Sequence, residues 1–205
     1  AFTYSAVVFR KSFWACPAVH DVVRRSVFRL RTAVYREELG SAPFRPDGLA
    51  TDDLDAHAVH CLLRSVRNGD FVGCFRIILA NADDPVSPLP FETVCAASID
   101  RAIVDPARLD RRKIAEVSRL AVVSRYRRRR GEEKVPLGID ESDFGTPDRP
   151  RFPYIAAALY PGMIPQARHH GAEMPFMLPQ RPARKQLSRP RAHMQAIGAP
   201  IRHAG

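Results

Sequence analysis

The chain has 205 residues, 45% of them hydrophobic, and a formal net charge of +10. That length and apolar content support one sizeable core and one domain. No stretch approaches the roughly 18 consecutive apolar residues of a spanning helix, and Cys16, Cys61, Cys74 and Cys95 have neither CxxC nor zinc spacing, so no membrane span, disulfide framework or structural metal is expected.

The opening, AFTYSAVVFRKSFWACPAVH, has no basic segment leading into a clean apolar run and cleavage site. It reads as an extension over residues 1–19, and a cytoplasmic protein is expected. HDVVRRSVFRLRTAVYREELG, residues 20–40, places Val23, Val27, Leu30 and Val34 on one helical face and ends in Gly40, where a C-cap glycine belongs. The spacing predicts a helix. SAPFRPDGLATDDLDAH, with two prolines and four acidic residues, predicts a loop. HAVHCLLRSVRNGDFVGCFRIILA then gives two β-rich runs split by Asn68-Gly69, the signature of an antiparallel hairpin.

Residues 81–113 are punctuated by proline and predict mostly irregular chain, followed by a third strand in IAEVSRLAVV. From Arg125 to Pro153 the chain is polar and rich in Gly and Pro, and a long loop is expected over about 125–153. YIAAALYPGMIPQARHHG has helical composition interrupted by Pro161 and Pro165, each of which costs about 3 kcal/mol in a helix interior. His169 and His170 precede Gly171 at its end, where a cation suits the helix dipole. The tail suggests a strand at EMPFML, a short helix at ARKQLSR and a last strand. These elements predict a single α/β (α+β) domain over residues 20–205, with helices packed on a mainly antiparallel sheet.

The third strand poses the main question, because Glu116, Ser118 and Arg119 sit in the middle of an otherwise apolar run. Unpaired buried charge costs several kcal/mol, so these groups must be paired, solvated or kept for chemistry. Under regular alternation Ile114, Glu116, Ser118, Leu120 and Val122 share one face and Arg119 points to the other. A β-bulge would re-aim Arg119. The plain alternative is a Glu116–Arg119 ion pair at a strand end. Plain alternatives hold elsewhere too. Asp52 and Asp55 suit a solvated acidic loop, Arg31 an exposed helical position, and Tyr35 the core. His57 and His60, with no third ligand, suit structural roles, and Cys61 and Cys74 suit small buried apolar sites.

The charge is uneven. RYRRRR at 125–130 holds five arginines, and the tail from Met174 holds six Lys or Arg and no acidic residue. Nucleic acid, an acidic carrier protein or a phosphate-bearing group would be drawn by that field. Nucleic acid is disfavoured, because only Tyr126 interrupts the arginine run and no helix-turn-helix, zinc-finger or RNP-type signal is present.

FRLRTAVYREELG, GLATDDLDAHAVHCLL, GDFVGCFRIIL and AEVSRLAV occur in an order and spacing that resemble the acyl-homoserine-lactone autoinducer synthases and their relatives. Those relatives are the long-chain N-acyl amino acid synthases and the exosortase-associated acyltransferases, and PYIAAALY, ARHHG and IGAPI look closer to that branch. The resemblance spans about residues 20–205 and implies the fold of the GCN5-related N-acetyltransferases, a mixed, mainly antiparallel twisted sheet flanked by helices. It implies that Glu116, Ser118 and Arg119 form the catalytic strand, with Glu116 taking the proton of the incoming amine. Arg31, Tyr35, Asp52, Asp55 and Arg76 match the substrate-binding positions. Arg127, Arg128, Arg129 and Arg130 stand where an acyl-phosphopantetheine arm would dock. The implied donor is the thioester of an acyl carrier protein or of coenzyme A, the acceptor is an amino acid, and no bound cofactor or metal is called for. Ser41 stands where autoinducer synthases place tryptophan, which counts against lactone synthesis.

Overall fold

The computed structural model describes residues 13–38, 46–66, 68–123, 145–146, 149–150, 155–178 and 195–201. Its frame is a five-stranded open sheet in the order β1-β2-β3-β4-β7, comprising β1 (Phe13–Pro17), β2 (Val59–Ser65), β3 (Phe71–Leu79), β4 (Ile114–Val122) and β7 (Met174–Met177). The first four strands are antiparallel neighbours, and β7 joins β4 in parallel. Residues 145–146 and 149–150 form a separate two-stranded ladder, β5 (Gly145–Thr146) and β6 (Arg149–Pro150). The rest of the expected 125–153 loop, Gly40, Ser41 and the expected helix at 183–189 lie outside the described residues.

Helix α1 (Asp21–Thr32) continues as a π-helical turn, Ala33–Glu38. Its apolar stripe buries Val27 and Val34 against Leu62, Cys74 and Ala121 on one face of the sheet. Helix α3 (Ile155–His169) covers the other face, where Met163 and Ala167 pack with Cys61, Leu63, Phe75, Ile77, Val117 and Val122. Cys61 and Cys74 are thus buried on opposite faces, as alternation requires. A third cluster gathers Ile78, Leu89, Ile114 and Phe176 around Phe91 of the short helix α2 (Pro90–Val94).

Three departures from the sequence reading have physical reasons. Phe13–Pro17, part of the expected extension, is the edge strand β1, short and ended by Pro17, which suits an edge. Helix α3 runs through Pro161 and Pro165 without a break. Pro165 is exposed, and the packing of Met163 and Ala167 on the sheet holds the helix together there. Residues 81–113 are less irregular than expected: α2 is joined by tight turns at Pro106–Arg108 and Arg111–Lys113, each capped by the aspartate before it. The hairpin forms as read. Gly69, at φ +73°, supplies the left-handed residue, and Ser65 N–H closes the loop on the Asp70 carbonyl at 2.8 Å. No described helix is long and apolar enough to cross a membrane.

Candidate active site

The site is built on an irregularity in β4. Arg76 of β3 faces Ser118 and Cys74 faces Ala121, so three steps along β4 span two along β3. The extra residue is a β-bulge, and Arg119 within it adopts φ +52°, a conformation that costs a non-glycine residue about 1 kcal/mol or more. Regular alternation therefore fails beyond Ser118. Ala121 turns to the α1 face, Val122 goes to the opposite core, and Arg119 comes round to the side occupied by Arg76 and Ser118. The hydroxyl of Tyr35, on the π-helical turn, donates to the Leu120 carbonyl at 3.1 Å and so fastens the bulge to the first helix. Burial pushes the Tyr35 phenol above its ordinary value.

Arg119 does not pair with Glu116. Its Nε and Nη2 both donate to Asp52 Oδ2, at 3.2 and 2.8 Å. Asp52 Oδ1 accepts from Arg76 Nη1, and Arg76 also reaches Asp55 Oδ1 at 2.9 Å and Ser118 Oγ at 3.2 Å. On the helix side, Arg31 Nη1 donates to both oxygens of Asp55, at 3.0 and 2.9 Å, and to the Ala50 carbonyl at 3.1 Å. Arg31, fully buried, is far from the exposed helical arginine that its surroundings in sequence suggest. His60 completes the network. Its Nε2 lies 2.9 Å from the Asp55 carbonyl, and Nδ1 faces Arg31 Nη2 at 3.5 Å. Burial lowers its pKa, which fits a neutral ring donating through Nε2 and presenting a lone pair to the guanidinium.

The two aspartates owe their placement to the loop. Asp52 caps the tight turn Asp53–Ala56 by accepting Leu54 N–H, and the Asp55 carboxylate returns to Asp52 N–H at 2.9 Å, a reciprocal capping box. Ala50 N–H is tied to Thr32 Oγ1 of α1 at 2.9 Å. TDDLD thus holds a paired cluster and not a solvated acidic loop. Burial alone would raise the Asp52 carboxyl, but hydrogen bonds from Arg76 and Arg119 outweigh it and hold the group at about 2.

Glu116 lies one pleat along β4, opposite Ile78, and is 6% exposed. Its Oε2 accepts the N–H of Phe91 at 2.7 Å, near the start of α2. Burial raises its pKa, against the lowering pull of that N–H and of Arg76 and Arg119. Helix α2 is pinned in turn: Glu92 accepts Leu89 N–H at 2.6 Å and pairs with Arg111 at 2.9 Å, and Phe91 stacks on Phe176 with ring centroids 4.5 Å apart. The sequence reading missed this support. Pro90 at the first helical position with Glu92 two residues on was the available signal.

The ladder between β4 and β7 runs from Ile114–Met174 to Val117–Met177 and stops, while β4 continues to Val122. Among the described residues the pairing of β4 with β7 thus ends at Val117, just beyond Glu116. Ser118 and Arg119 are partly exposed there, and Asp52 is the aspartate of the network that reaches solvent. The fold brings together Arg31, Tyr35, Asp52, Asp55, Arg76, Glu116, Ser118 and Arg119, eight of the twelve positions the sequence singles out. Arg127, Arg128, Arg129 and Arg130 lie outside the described residues. His57 is exposed and takes no part, and among the described residues no three His, Cys, Asp or Glu side chains gather to hold a metal.

An open mixed sheet covered on both faces, with a bulged strand whose described pairing to a parallel neighbour ends beside a buried carboxyl, is the architecture of an N-acyltransferase. The chain matches the acetyltransferase (GNAT) domain family over residues 30–135, a little over half its length, and belongs to that family. No curated protein matches it.

Proposed function

We propose that this acyltransferase moves a long-chain fatty acyl group from the phosphopantetheine thioester of an acyl carrier protein to the α-amine of an amino acid, as an N-acyl amino acid synthase. The observation that carries the reading is the place of Glu116: a buried carboxyl of raised pKa where β4 leaves β7, beside the Arg–Asp network. The quoted motifs, with Ser41 in place of tryptophan, favour this branch over lactone synthesis.

The chemistry follows from the groups present. Glu116 accepts a proton from the acceptor ammonium, since a raised pKa brings a carboxylate nearer to working pH. The freed amine attacks the thioester carbonyl, the C–N bond forms as the C–S bond breaks, and the thiolate leaves to take up a proton. No protein nucleophile is required, so positioning and charge stabilisation carry the rate. Ser118 already accepts from Arg76 through its oxygen, which leaves its own O–H to donate to a bound molecule.

The test is a mass-spectrometric product assay of purified chain with long-chain acyl carrier protein, the common amino acids and S-adenosylmethionine. The expected product is an N-acyl amino acid whose formation falls by about tenfold or more in Glu116→Gln. A lactone would replace the proposal with the autoinducer chemistry. No product from folded protein would refute it.

A further inference from the structure

The charged network is unbalanced and opens to solvent at one edge. Three guanidiniums, of Arg31, Arg76 and Arg119, meet two aspartates, Asp52 and Asp55. Arg31, Arg76 and Asp55 are sealed, with side chains at most 5% exposed, whereas the Arg119 side chain is 36% exposed. Arg119 spends Nε and Nη2 on a single oxygen of Asp52. Its Nη1 and the second N–H of Nη2, the end-on edge of the fork, have no partner among the described residues. That edge has the planar geometry that receives a carboxylate through two parallel hydrogen bonds.

We infer that Arg119 is the specificity-determining residue for the acceptor, and that it clamps the acceptor's carboxylate while Glu116 handles its amine. The inference rests on the activity proposed above and names the residue that recognises the carboxylate of its amino acid acceptor. Charge accounts for the pairing of roles. A zwitterionic acceptor enters with no net charge, its ammonium proton passes to Glu116, and the acceptor is left as an anion. The guanidinium in excess over the aspartates then balances that anion at the step in which Glu116 ceases to be one. The bulge is the structural means: without the left-handed turn at Arg119, this side chain would point to the face covered by α3.

The test offers each common amino acid beside its own carboxamide to the full chain, with dodecanoyl carrier protein as donor. The acid is expected to exceed its amide in kcat/KM by about 10- to 100-fold, mostly through KM, as suits hydrogen bonds between charged groups. Arg119→Gln should bring the ratio toward unity, and Arg119→Lys, which keeps the charge without the fork, should restore part of it. The acid-to-amide ratio of the unaltered chain needs no variant to fold. Acids and amides acylated alike would overturn the clamp while leaving the acyltransferase reading in place. So would an Arg119→Gln enzyme that keeps the preference. If no amine is acylated, the proposed activity falls and calorimetry decides the clamp separately. N-dodecanoylglycine binding more tightly than N-dodecanoylglycinamide, with the difference lost in Arg119→Gln, supports it; equal binding overturns it.

Discussion

Asp55→Ala tests whether the buried network holds the fold together. In the native protein the Asp55 carboxylate satisfies Arg31, Arg76 and the N–H of Asp52. Arg76 retains Asp52 and Ser118 after the change, but Arg31, at 0% exposure, is left without a carboxylate and keeps the Ala50 carbonyl, the edge of His60 and the face of the Phe28 ring. Leaving such a charge unpaired costs about 3–5 kcal/mol, and loss of the capping bond adds about 1 kcal/mol. A domain of ordinary stability holds about 5–15 kcal/mol in total, so the variant is expected to melt about 10–20 °C lower. Urea unfolding and calorimetry of the pure chain measure this directly. Adding Arg31→Met should recover part of the loss, because the unbranched side chain fills the stem's place and no charge is stranded. The reasoning is refuted if Asp55→Ala costs less than about 1 kcal/mol, or if the double variant is no more stable than the single one.

The other predictions concern pH, reactivity and packing. Glu116 has a raised pKa and so binds its proton more tightly folded than unfolded; its ionisation then costs stability as pH climbs from the ordinary 4.5 through the higher folded value. Glu116→Gln keeps an oxygen for the Phe91 N–H and removes that cost, so urea titrations should show the variant gaining on the wild type as pH rises; the reverse trend would contradict the burial argument. Burial pushes the Cys61 thiol up to about 12 and that of Cys74 up to about 11, so iodoacetamide at pH 8 should leave both unmodified in folded protein while labelling the partly exposed Cys16. Early alkylation of Cys74, read by peptide mapping, would count against the packing of α1 on the sheet. A Cβ at Gly73 would stand 2.8 Å from the Ala121 carbonyl and 3.0 Å from Leu63. Gly73→Ala is therefore expected to cost about 1–3 kcal/mol, visible as a lower melting temperature.

Much of this fold is legible in the sequence where a local rule and the tertiary context agree. The helical stripe of Val23, Val27, Leu30 and Val34, the Asn68-Gly69 hairpin and the apolar run around Glu116 all form the elements their patterns predict. The charged residues were harder to place, because their partners are set by long-range pairing. Nothing near Arg31 in the chain announces a partner 24 positions on, and nothing in AEVSRLAV announces that Asp52, 67 positions earlier, is where Arg119 turns. A bulge leaves only a weak trace in sequence, since one inserted residue merely shifts the phase of a short alternation. The prolines of α3 misled for the opposite reason: the local penalty is real, but packing of Met163 and Ala167 on the sheet overrides it.

The order in which the sheet is completed bears on how the protein comes to be made. On its β3 side β4 finds its partner early, but its other neighbour arrives only when the chain has been extended to Met174. Until then a strand of nine residues, rich in valine, leucine and isoleucine, presents a bare edge that invites pairing with other nascent chains. Glu116 and Arg119 put charges in the middle of that edge, the kind of placement that opposes edge-to-edge association. The positions proposed above for the chemistry of the finished site are thus also the charged positions on the edge of the unfinished sheet.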